Sequence, residues 1–314
     1  MNLKKPKFWD KKKPNFISYI LLPFSILTEI IILFKPKKKI KIKKIKTICI
    51  GNIYIGGTGK TSLSIKINEI LNKKNIKACF IKKFYKSQID EQKLLKNHGK
   101  LFLAKKRIDA LNQAVNENYN IAIFDDGLQD YSINYDINFV CFNNEKWIGN
   151  GMIIPSGPLR ENIKILKNYK HIFFNGVDKK YYEIEEEALK INPQIIIHKG
   201  KYIPTNLNNF NKNENYIVFS GIGNHHTLIS MLKESGIKII KDIEFSDHYS
   251  YKSKDIKKII NLSKELNSKI ITTEKDYLRL NQDQTKDINF IKSELIIEDE
   301  QKLINAILNW KWKI

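Results

Sequence analysis

The stretch that decides the fold is IKTICIGNIYIGGTGKT, residues 45–61. Its first six residues form a β-branched apolar run, which predicts a buried strand, and apolar residues recur at helical spacing after Lys60. The glycine-rich turn between them lets backbone N–H groups point at phosphate oxygens, where the helix N-terminus adds a favourable field. In such loops the lysine reaches phosphate and the hydroxyl of the next residue, here Thr61, ligates Mg²⁺. The stretch therefore predicts nucleotide binding, although Tyr54 stands where the strict pattern has its first glycine.

Outward from this loop, predicted strands alternate with predicted helices. The strands are Ile45–Ile50, Lys77–Ile81, Asn120–Phe124, Asn138–Phe142, His171–Phe174, Tyr216–Phe219, Ile237–Ile243, Lys269–Ile271, Ile288–Ile291 and Leu295–Ile297. The helices are Thr61–Lys73, Lys105–Asn116, His226–Glu234, Ser253–Leu266 and Gln301–Leu308. Alternation of this kind implies an α/β fold of the P-loop NTPase type, with a parallel sheet and helices on both faces.

The strand–helix pattern restarts near residue 206, which predicts two α/β halves around a cleft. We expect a P-loop nucleotide-binding domain at 45–205 and a smaller C-terminal α/β domain at 206–314. A basic, apolar segment at 1–44 precedes them and is predicted to carry a membrane-associated helix.

Two aspartates follow the predicted strand Asn120–Phe124. Asp125 and Asp126 would lie at the carboxyl edge of the sheet, where α/β proteins bind their ligands. Paired carboxylates beside a phosphate loop suit the positioning of a metal ion and water. For each residue taken alone, a structural role as a turn or helix-cap aspartate stays open.

The composition excludes some classes of protein and points to a partner. The chain has 314 residues and 42% hydrophobic residues, enough to bury a core, so a disordered chain is excluded. Its formal net charge of +22 predicts an anionic partner: a membrane surface, nucleic acid or a phosphorylated substrate.

Cys49, Cys79 and Cys141 each lie in an apolar run, which predicts reduced, buried thiols in the cytosol rather than disulfides or a metal site.

More than half of the excess charge lies in residues 1–46, which hold 14 lysines and two acidic residues. Between two lysine clusters runs FISYILLPFSILTEIIILF, Phe16–Phe34, whose helix would be about 28 Å long, close to a bilayer core. Pro23 and Glu29 disfavour a simple spanning helix. Positive flanks on both sides suit a segment that lies on one leaflet or dips into it. An ordinary core helix with solvated lysines stays open, as does a nucleic-acid-binding tail, which would usually interleave aromatic residues and arginines.

Further motifs carry a resemblance to a known family. They are Phe8-Trp9, GNIYIGGTGKT, DDGLQ at 125–129, GNGMIIPSGPLRE at 149–161, FSGIGN at 219–224, FSDH at 245–248 and TTEKD at 272–276. In these motifs and their order the chain resembles the tetraacyldisaccharide 4′-kinases, the lipid A 4′-kinases of Gram-negative bacteria. The resemblance implies transfer of the γ-phosphate of ATP to the 4′-hydroxyl of a lipid A disaccharide 1-phosphate, with Mg²⁺. It also implies action at the cytoplasmic face of the inner membrane, and we expect a monomer with no nucleic-acid partner.

Matched motif by motif, the resemblance assigns roles to individual residues. The implied catalytic residues are Lys60, Asp90, Asp125 and His248. The implied nucleotide-binding residues are Tyr54, Ile55, Gly56, Gly57, Thr58, Gly59, Lys60, Thr61 and Arg160. The implied Mg²⁺ ligands are Thr61, Asp126 and Glu161, and the implied substrate-binding residues are Gln129 and Asp130. Asp90 and His248, one from each half, are expected to activate the sugar hydroxyl together, because an imidazole oriented by a carboxylate can accept a hydroxyl proton.

Three places depart from the family pattern. Asp130 stands where the family has a histidine, and a carboxylate there would repel the lipid phosphate. Residues 82–86, KKFYK, replace a glycine-rich SRGYG stretch, and the loop before Asp90 is shortened. His225-His226 stands where a proline is usual. These departures are compatible with sequence drift in a compact genome, with an altered acyl-lipid substrate or with lost activity.

Two other functions stay open from the sequence. One is a membrane-associated P-loop ATPase without lipid kinase activity, but such ATPases of the dimeric targeting kind carry a second lysine where this chain has Ile55. The other is a non-enzymatic protein that binds nucleic acid or lipid, which only the net charge favours. The phosphate loop together with DDGLQ and GPLRE disfavours this second alternative.

Overall fold

The computed structural model describes residues 5–34, 39–176 and 181–308. The strands within these ranges are β1 (Lys46–Gly51), β2 (Ala78–Lys83), β3 (Leu101–Ala104), β4 (Ile121–Asp125), β5 (Ile137–Asn143), β6 (His171–Asn175), β7 (Ile196–Pro204), β8 (Asn215–Ser220), β9 (Lys238–Glu244), β10 (Lys269–Thr273), β11 (Ile288–Ile291) and β12 (Ser293–Ile297). The helices are α1 (Phe16–Ile20), α2 (Leu22–Leu33), α3 (Lys60–Lys73), α4 (Ile89–His98), α5 (Arg107–Asn116), α6 (Tyr181–Ile191), α7 (His225–Glu234), α8 (Ser253–Glu265), α9 (Glu274–Tyr277), α10 (Gln282–Thr285) and α11 (Glu300–Leu308).

The described residues divide into two compact units. The loop unit comprises residues 5–84, 95–201 and 297–308, and the C-terminal unit comprises residues 85–94 and 202–296. In this division residues 85–94 belong with the C-terminal unit although they lie between β2 and β3 in the chain. Side chains of α4 form ion pairs with Lys275 and Arg279, contacts that no local sequence pattern reveals.

The loop unit is built on a sheet in which its strands have the order β7-β6-β5-β1-β4-β2-β3. Strand β1 lies between β4 and β5 and runs parallel to both, so the loop after β1 and the aspartates after β4 emerge at the same edge. Buried side chains from these strands, among them Phe124, Phe142 and Phe174, form the core of the unit. The parallel α/β sheet predicted from the sequence is therefore confirmed.

The C-terminal unit is also built on a parallel sheet, with four strands in the order β11-β10-β8-β9. Leu228 and Leu232 of α7 are buried in one apolar cluster with β8, and Ile256 and Ile259 of α8 are buried in another. Side chains of β8 alternate between the two clusters because successive residues of a strand point to opposite faces. The segments that follow β8, β9 and β10 leave the same edge of this sheet.

The apolar N-terminal segment forms two helices rather than one. Helix α1 ends before Leu21, and Pro23 lies in the first turn of α2, where a proline is tolerated. Most apolar side chains of both helices are exposed, Phe16 by 79% and Leu33 by 64%. Within the described residues, no helix is both long enough and apolar enough to cross a membrane. The lysines at 4, 35, 37 and 38, part of the predicted basic flanks, lie outside the described residues.

Two buried serines attach this helical segment to the loop unit. The hydroxyl of Ser25 donates to the carbonyl of Ile153 at 2.7 Å, and the amide of Ser156 donates to the same hydroxyl at 3.0 Å. The side-chain nitrogen of Asn150 donates to the hydroxyl of Ser18 at 3.1 Å. The segment 149–161 therefore holds α1 and α2 in place while their apolar side chains face outward.

The three cysteines are reduced and buried in the loop unit. Cys49, Cys79 and Cys141 have no accessible surface. Burial raises the pKa of each thiol, that of Cys79 to about 12. They are packing residues, as their apolar sequence context predicts.

Candidate active site

The phosphate loop leaves β1 at Gly51 and enters α3 at Lys60. Two of its glycines adopt a left-handed backbone that other residues rarely take, with φ of 120° at Gly56 and 83° at Gly59. The Thr58 hydroxyl oxygen is buried and has no hydrogen-bond partner among the described residues. A buried polar atom without a partner is costly, so the loop is shaped to receive a polar ligand.

The residue that replaces the first loop glycine turns its side chain into the protein. Tyr54 is 2% exposed, its ring packs against Leu159, and its hydroxyl hydrogen-bonds the carboxylate of Asp10. The amide of Ile55 donates to the carbonyl of Pro158 at 2.9 Å. These two predicted nucleotide-binding positions therefore shape the loop and tie it to the GPLRE segment, residues 157–161.

Asp126 is the point at which several predicted site residues meet. Its Oδ1 lies 3.5 Å from Lys60 Nζ and 3.0 Å from Arg160 Nη1. The same Arg160 nitrogen donates to Gln129 Oε1 at 2.9 Å. Asp126 adopts a left-handed backbone with φ of 58°, a conformation that costs roughly 1–3 kcal/mol and concentrates at functional sites. The phosphate loop, the DDGLQ motif and the GPLRE segment are thus joined through one carboxylate.

Glu161 lies beside this group and receives hydrogen bonds from neutral donors. Gln129 Nε2 donates to its Oε1 at 3.0 Å, and the Tyr131 hydroxyl donates to its Oε2 at 2.6 Å. Burial, together with the hydrogen bond to Glu161, raises the pKa of Tyr131, so the phenol keeps its proton. Because both donors are uncharged, the negative charge of Glu161 remains available to a cation.

Asp125 has a different environment one residue earlier. It is fully buried at the end of β4 and accepts from the Thr61 hydroxyl at 3.3 Å and the Ser64 hydroxyl at 3.4 Å. Lys82 Nζ donates to its Oδ2 at 2.6 Å, and this lysine is itself 1% exposed. The first aspartate of the motif therefore forms a buried ion pair within the protein.

The carboxylate that replaces the family's histidine is also paired. Arg107, at the start of α5, donates to Asp130 Oδ2 at 3.3 Å and to the backbone carbonyl of Asp126 at 2.6 Å. Asp130 also accepts from the amide and hydroxyl of Ser132. The predicted repulsion at residue 130 is therefore offset by an adjacent guanidinium group.

In the C-terminal unit, the predicted catalytic pair is in contact. Nδ1 of His248 lies 3.3 Å from Oδ1 of Asp90, and its Nε2 lies 3.6 Å from Oε1 of Glu91. His248 follows β9 with φ of 55°, and its amide donates to the carbonyl of Gly221 at 3.0 Å. Both members of the pair lie in one unit, which differs from the predicted placement of one residue in each half.

Two cations hold Asp90 in its ionised form. Arg279 Nη2 donates to Asp90 Oδ2 at 2.6 Å, and Lys275 Nζ lies 3.7 Å from the same oxygen and 2.6 Å from Glu91 Oε1. Burial by itself would raise the pKa of Asp90, but the hydrogen bond from His248 and the charges of Lys275 and Arg279 hold that pKa well below its usual range. Asp90 is therefore a permanent negative charge against the imidazole.

Sequence reasoning missed four residues of these groups: Lys82, Arg107, Tyr131 and Arg279. Lys82 could have been noticed, because a lysine that ends the apolar run of β2 emerges at the same sheet edge as Asp125. Arg279 lies three residues after the TTEKD motif, one helical turn away, and could have been noticed for that reason. For Arg107 and Tyr131 no sequence signal distinguishes them from surface residues.

A parallel sheet whose central strand leads into this loop, with carboxylates from the neighbouring strand beside the loop lysine, defines a P-loop nucleotide-binding protein. The family model described as tetraacyldisaccharide-1-P 4′-kinase matches residues 17–311. The chain belongs to this family, as its motifs predict.

Relatives and a solved structure agree with this assignment. The tetraacyldisaccharide 4′-kinase of Pelagibacter ubique is 58% identical over 308 residues, which cover 98% of each chain. The protein of the same name from Rickettsia typhi is 30% identical over 96% of this chain and 94% of its own. The crystal structure of LpxK from Aquifex aeolicus in complex with ATP superimposes with a TM-score of 0.68 at 22% identity, over 94% of this chain and 99% of that one. The last match shows a shared fold.

Proposed function

We propose that this protein transfers the γ-phosphate of ATP to the 4′-hydroxyl of a lipid A disaccharide 1-phosphate. The observation that carries the proposal is the continuous group of ion pairs and hydrogen bonds from Lys60 through Asp126 and Arg160 to Gln129 and Glu161. Family membership supplies the acceptor, since the matching model and relatives are named for this reaction.

The loop residues fit a nucleotide triphosphate. The left-handed glycines free backbone N–H groups, and the partnerless Thr58 hydroxyl adds a donor at the same place. ATP supplies the phosphoryl group when bound. Lys60 and Arg160 supply the positive charge that stabilises a transferring phosphoryl group, and their contacts with Asp126 orient both side chains beforehand.

The oxygen-rich donor set also fits Mg²⁺. Among the described residues, no group of three or more His, Cys, Asp or Glu side chains forms a ready-made metal site. Mg²⁺ is usually held by one or two carboxylates together with substrate phosphates, so it does not need a larger cluster of protein ligands. Thr61, Asp126 and Glu161 are the residues that would hold it, Glu161 with the least compensated charge.

The Asp90–His248 pair is the general base of the proposal. His248 takes the proton of the acceptor hydroxyl, and Asp90 orients the ring and stabilises the imidazolium that forms. Arg279 and Lys275 keep Asp90 ionised, so it orients His248 without competing for the proton.

The exposed apolar side chains of α1 and α2 are the proposed membrane contact, on the cytoplasmic face of the inner membrane. Phe16, Phe24, Ile31 and Leu33 are among them, and most of the described lysines on both sides of the helices are exposed. Apolar insertion together with lysine charge gives stable attachment to an anionic leaflet, where each lysine near the surface adds about 1 kcal/mol. The substrate is itself an anionic lipid, so this surface places the protein where its substrate lies. We further propose that it acts as a monomer, without nucleic acid.

Phosphate transfer by the purified full-length protein tests the proposal. The protein is incubated with γ-labelled ATP, Mg²⁺ and tetraacyldisaccharide 1-phosphate in mixed micelles, beside arms with no lipid and with DNA. We expect label in a bisphosphorylated lipid only in the lipid arm, and none with Lys60→Ala. ATP hydrolysis without labelled lipid would instead support the membrane-associated ATPase.

A further inference from the structure

Lys82 is a charged side chain in a place where the sequence otherwise supplies apolar ones. It lies at the end of β2 after Ala78-Cys79-Phe80-Ile81, all buried, and is itself 1% exposed. Burying an ammonium group is unfavourable unless a partner of opposite charge compensates it. The partner is Asp125, 2.6 Å away and fully buried. A packing role alone would be served by an apolar side chain, so the charge itself needs an explanation.

The sheet explains how this pair is formed. Strand β2 runs parallel beside β4, with Ile81 opposite Phe124, so the next residues of both strands reach the same edge together. On the other side of β4, Asp125 lies opposite Ile50, just before the phosphate loop. Lys82 is therefore held close to the loop by the sheet itself rather than by a flexible segment.

The Lys82–Asp125 ion pair makes Asp125 differ from Glu161, the other buried carboxylate near the phosphate loop. Asp125 accepts from Lys82 and from the hydroxyls of Thr61 and Ser64. By contrast, the donors to Glu161 are the neutral amide of Gln129 and hydroxyl of Tyr131. The two buried carboxylates thus differ in compensation: one is neutralised within the protein and the other is not.

We infer that Lys82 is a positioning residue that neutralises Asp125 and fixes it as the acceptor for the Thr61 hydroxyl, so that Glu161 carries the uncompensated negative charge of the site toward a divalent cation. The inference rests on the proposed function only for the presence of nucleotide and Mg²⁺. It assigns Asp125 an orienting role, in place of the catalytic role implied by the resemblance.

Binding of ADP with and without Mg²⁺ tests this inference, independently of the lipid. Calorimetry on the full chain gives the dissociation constant of ADP in EDTA and in Mg²⁺. The measured quantity is the constant in EDTA divided by the constant in Mg²⁺. In Lys82→Met, Asp125 becomes an uncompensated charge that repels phosphate and attracts the cation, so we expect the ratio to rise at least tenfold. In Asp125→Asn, the remaining ammonium favours metal-free ADP, so the ratio should fall at least threefold. Lys82→Arg keeps the charge and should stay within threefold of wild type.

The double variant Lys82→Met/Asp125→Asn keeps the test decisive if either single variant fails to fold. It removes both charges together, and we expect it to fold and to return the ratio to within threefold of wild type. A folded Lys82→Met protein with an unchanged ratio would overturn the inference, as would a double variant whose ratio is raised tenfold. If ADP binding behaves as expected but no lipid is labelled, the proposed function fails and this inference stands.

Discussion

The guanidinium group of Arg107 lies 3.3 Å from the carboxylate of Asp130, and both side chains are largely withdrawn from solvent. Asp130 is the residue that replaces a histidine of the family, and its charge by itself would oppose binding of an anionic lipid. Arg107 neutralises that charge and also donates to the backbone of Asp126. Within the folded protein, the negative charge at residue 130 is therefore compensated by a cation already present.

Removing the charge at Asp130 should destabilise the protein. Asp130→Asn leaves Arg107 without its carboxylate partner, and a hydrogen bond to a charged group contributes about 1.5–3 kcal/mol. We expect the free energy of unfolding in urea to fall by that amount. Asp109→Asn, at an exposed position of α5, is the matched control and should change it by less than about 0.5 kcal/mol. Equal stability of the two variants would contradict the role given to this ion pair.

Lys60→Ala should lower kcat/KM for ATP by about 10²-fold or more, because charge stabilisation of the phosphoryl group dominates this kind of reaction. Lys73→Ala removes an exposed lysine at the other end of α3 and serves as the control. Initial rates of lipid phosphorylation measure both. A Lys60→Ala enzyme with near wild-type turnover would refute the phosphate-loop assignment.

Asp90 and His248 should behave as one unit. Asp90→Ala and His248→Ala should each lower kcat by about 10²–10⁴-fold, and the double variant should be little slower than the slower single variant. The dissociation constant of ATP should barely change, because neither residue belongs to the phosphate loop. Losses that multiply in the double variant would exclude the pairing. An unchanged kcat in Asp90→Ala would direct attention to Glu91, whose carboxylate lies 3.6 Å from His248 Nε2.

The depressed pKa of Asp90 should appear in the pH dependence of stability. Its folded-state pKa lies below that of the unfolded chain, so the stabilisation is fully present above the unfolded value of about 4. It is lost as the pH falls from there toward the folded value. Urea midpoints at pH 6 and pH 3.5 should therefore differ more in wild type than in Asp90→Asn. The same difference in both proteins would show that Asp90 is not held ionised as described.

The exposed apolar residues of α1 and α2 should govern membrane attachment. Phe24→Ser, Leu27→Ser and Ile31→Ser together remove apolar area without touching Ser18 or Ser25, which hold the helices. Because burying each side chain is worth about 1.5–3 kcal/mol, we expect at least a tenfold lower partition onto anionic vesicles in flotation assays.

The control for attachment is Tyr182→Ser with Leu189→Ser, which removes exposed apolar residues from α6 instead. This variant should float with the vesicles as wild type does. High salt should release wild type only in part, because the apolar contribution is not screened. Complete release of wild type by salt alone would exclude insertion.

Much of the fold follows from local sequence. The predicted strands and helices are confirmed to within about two residues at most ends, because apolar period and glycine punctuation are local signals. Six elements of the described residues were not predicted: β3, β7, α4, α6 and the short helices α9 and α10. Helix α4 follows the altered KKFYK stretch, and its first turn contains Asp90 and Glu91. These two carboxylates form ion pairs with Arg279 and Lys275, which lie far away in the sequence. Such long-range pairing overrides periodicity and cannot be deduced from it.

The candidate site is predictable in part for the same reason. Lys60, Thr61 and Asp126 are positioned by strand ends, which the sequence locates, and the family resemblance is confirmed. Arg107 is recognisable only once the fold is known, since its partner Asp130 is 23 positions away. The predicted cleft between the halves and the domain boundaries stay predictions.

The burial of all three thiols gives this protein a practical property. A reagent that alkylates thiolates meets none at the surface of the folded chain, because the only cysteines in the sequence are Cys49, Cys79 and Cys141. A single cysteine introduced at Leu27 would therefore take up an environment-sensitive fluorophore selectively, with every native residue elsewhere retained. The emission of such a probe would report, in real time, whether α2 leaves water when vesicles are added.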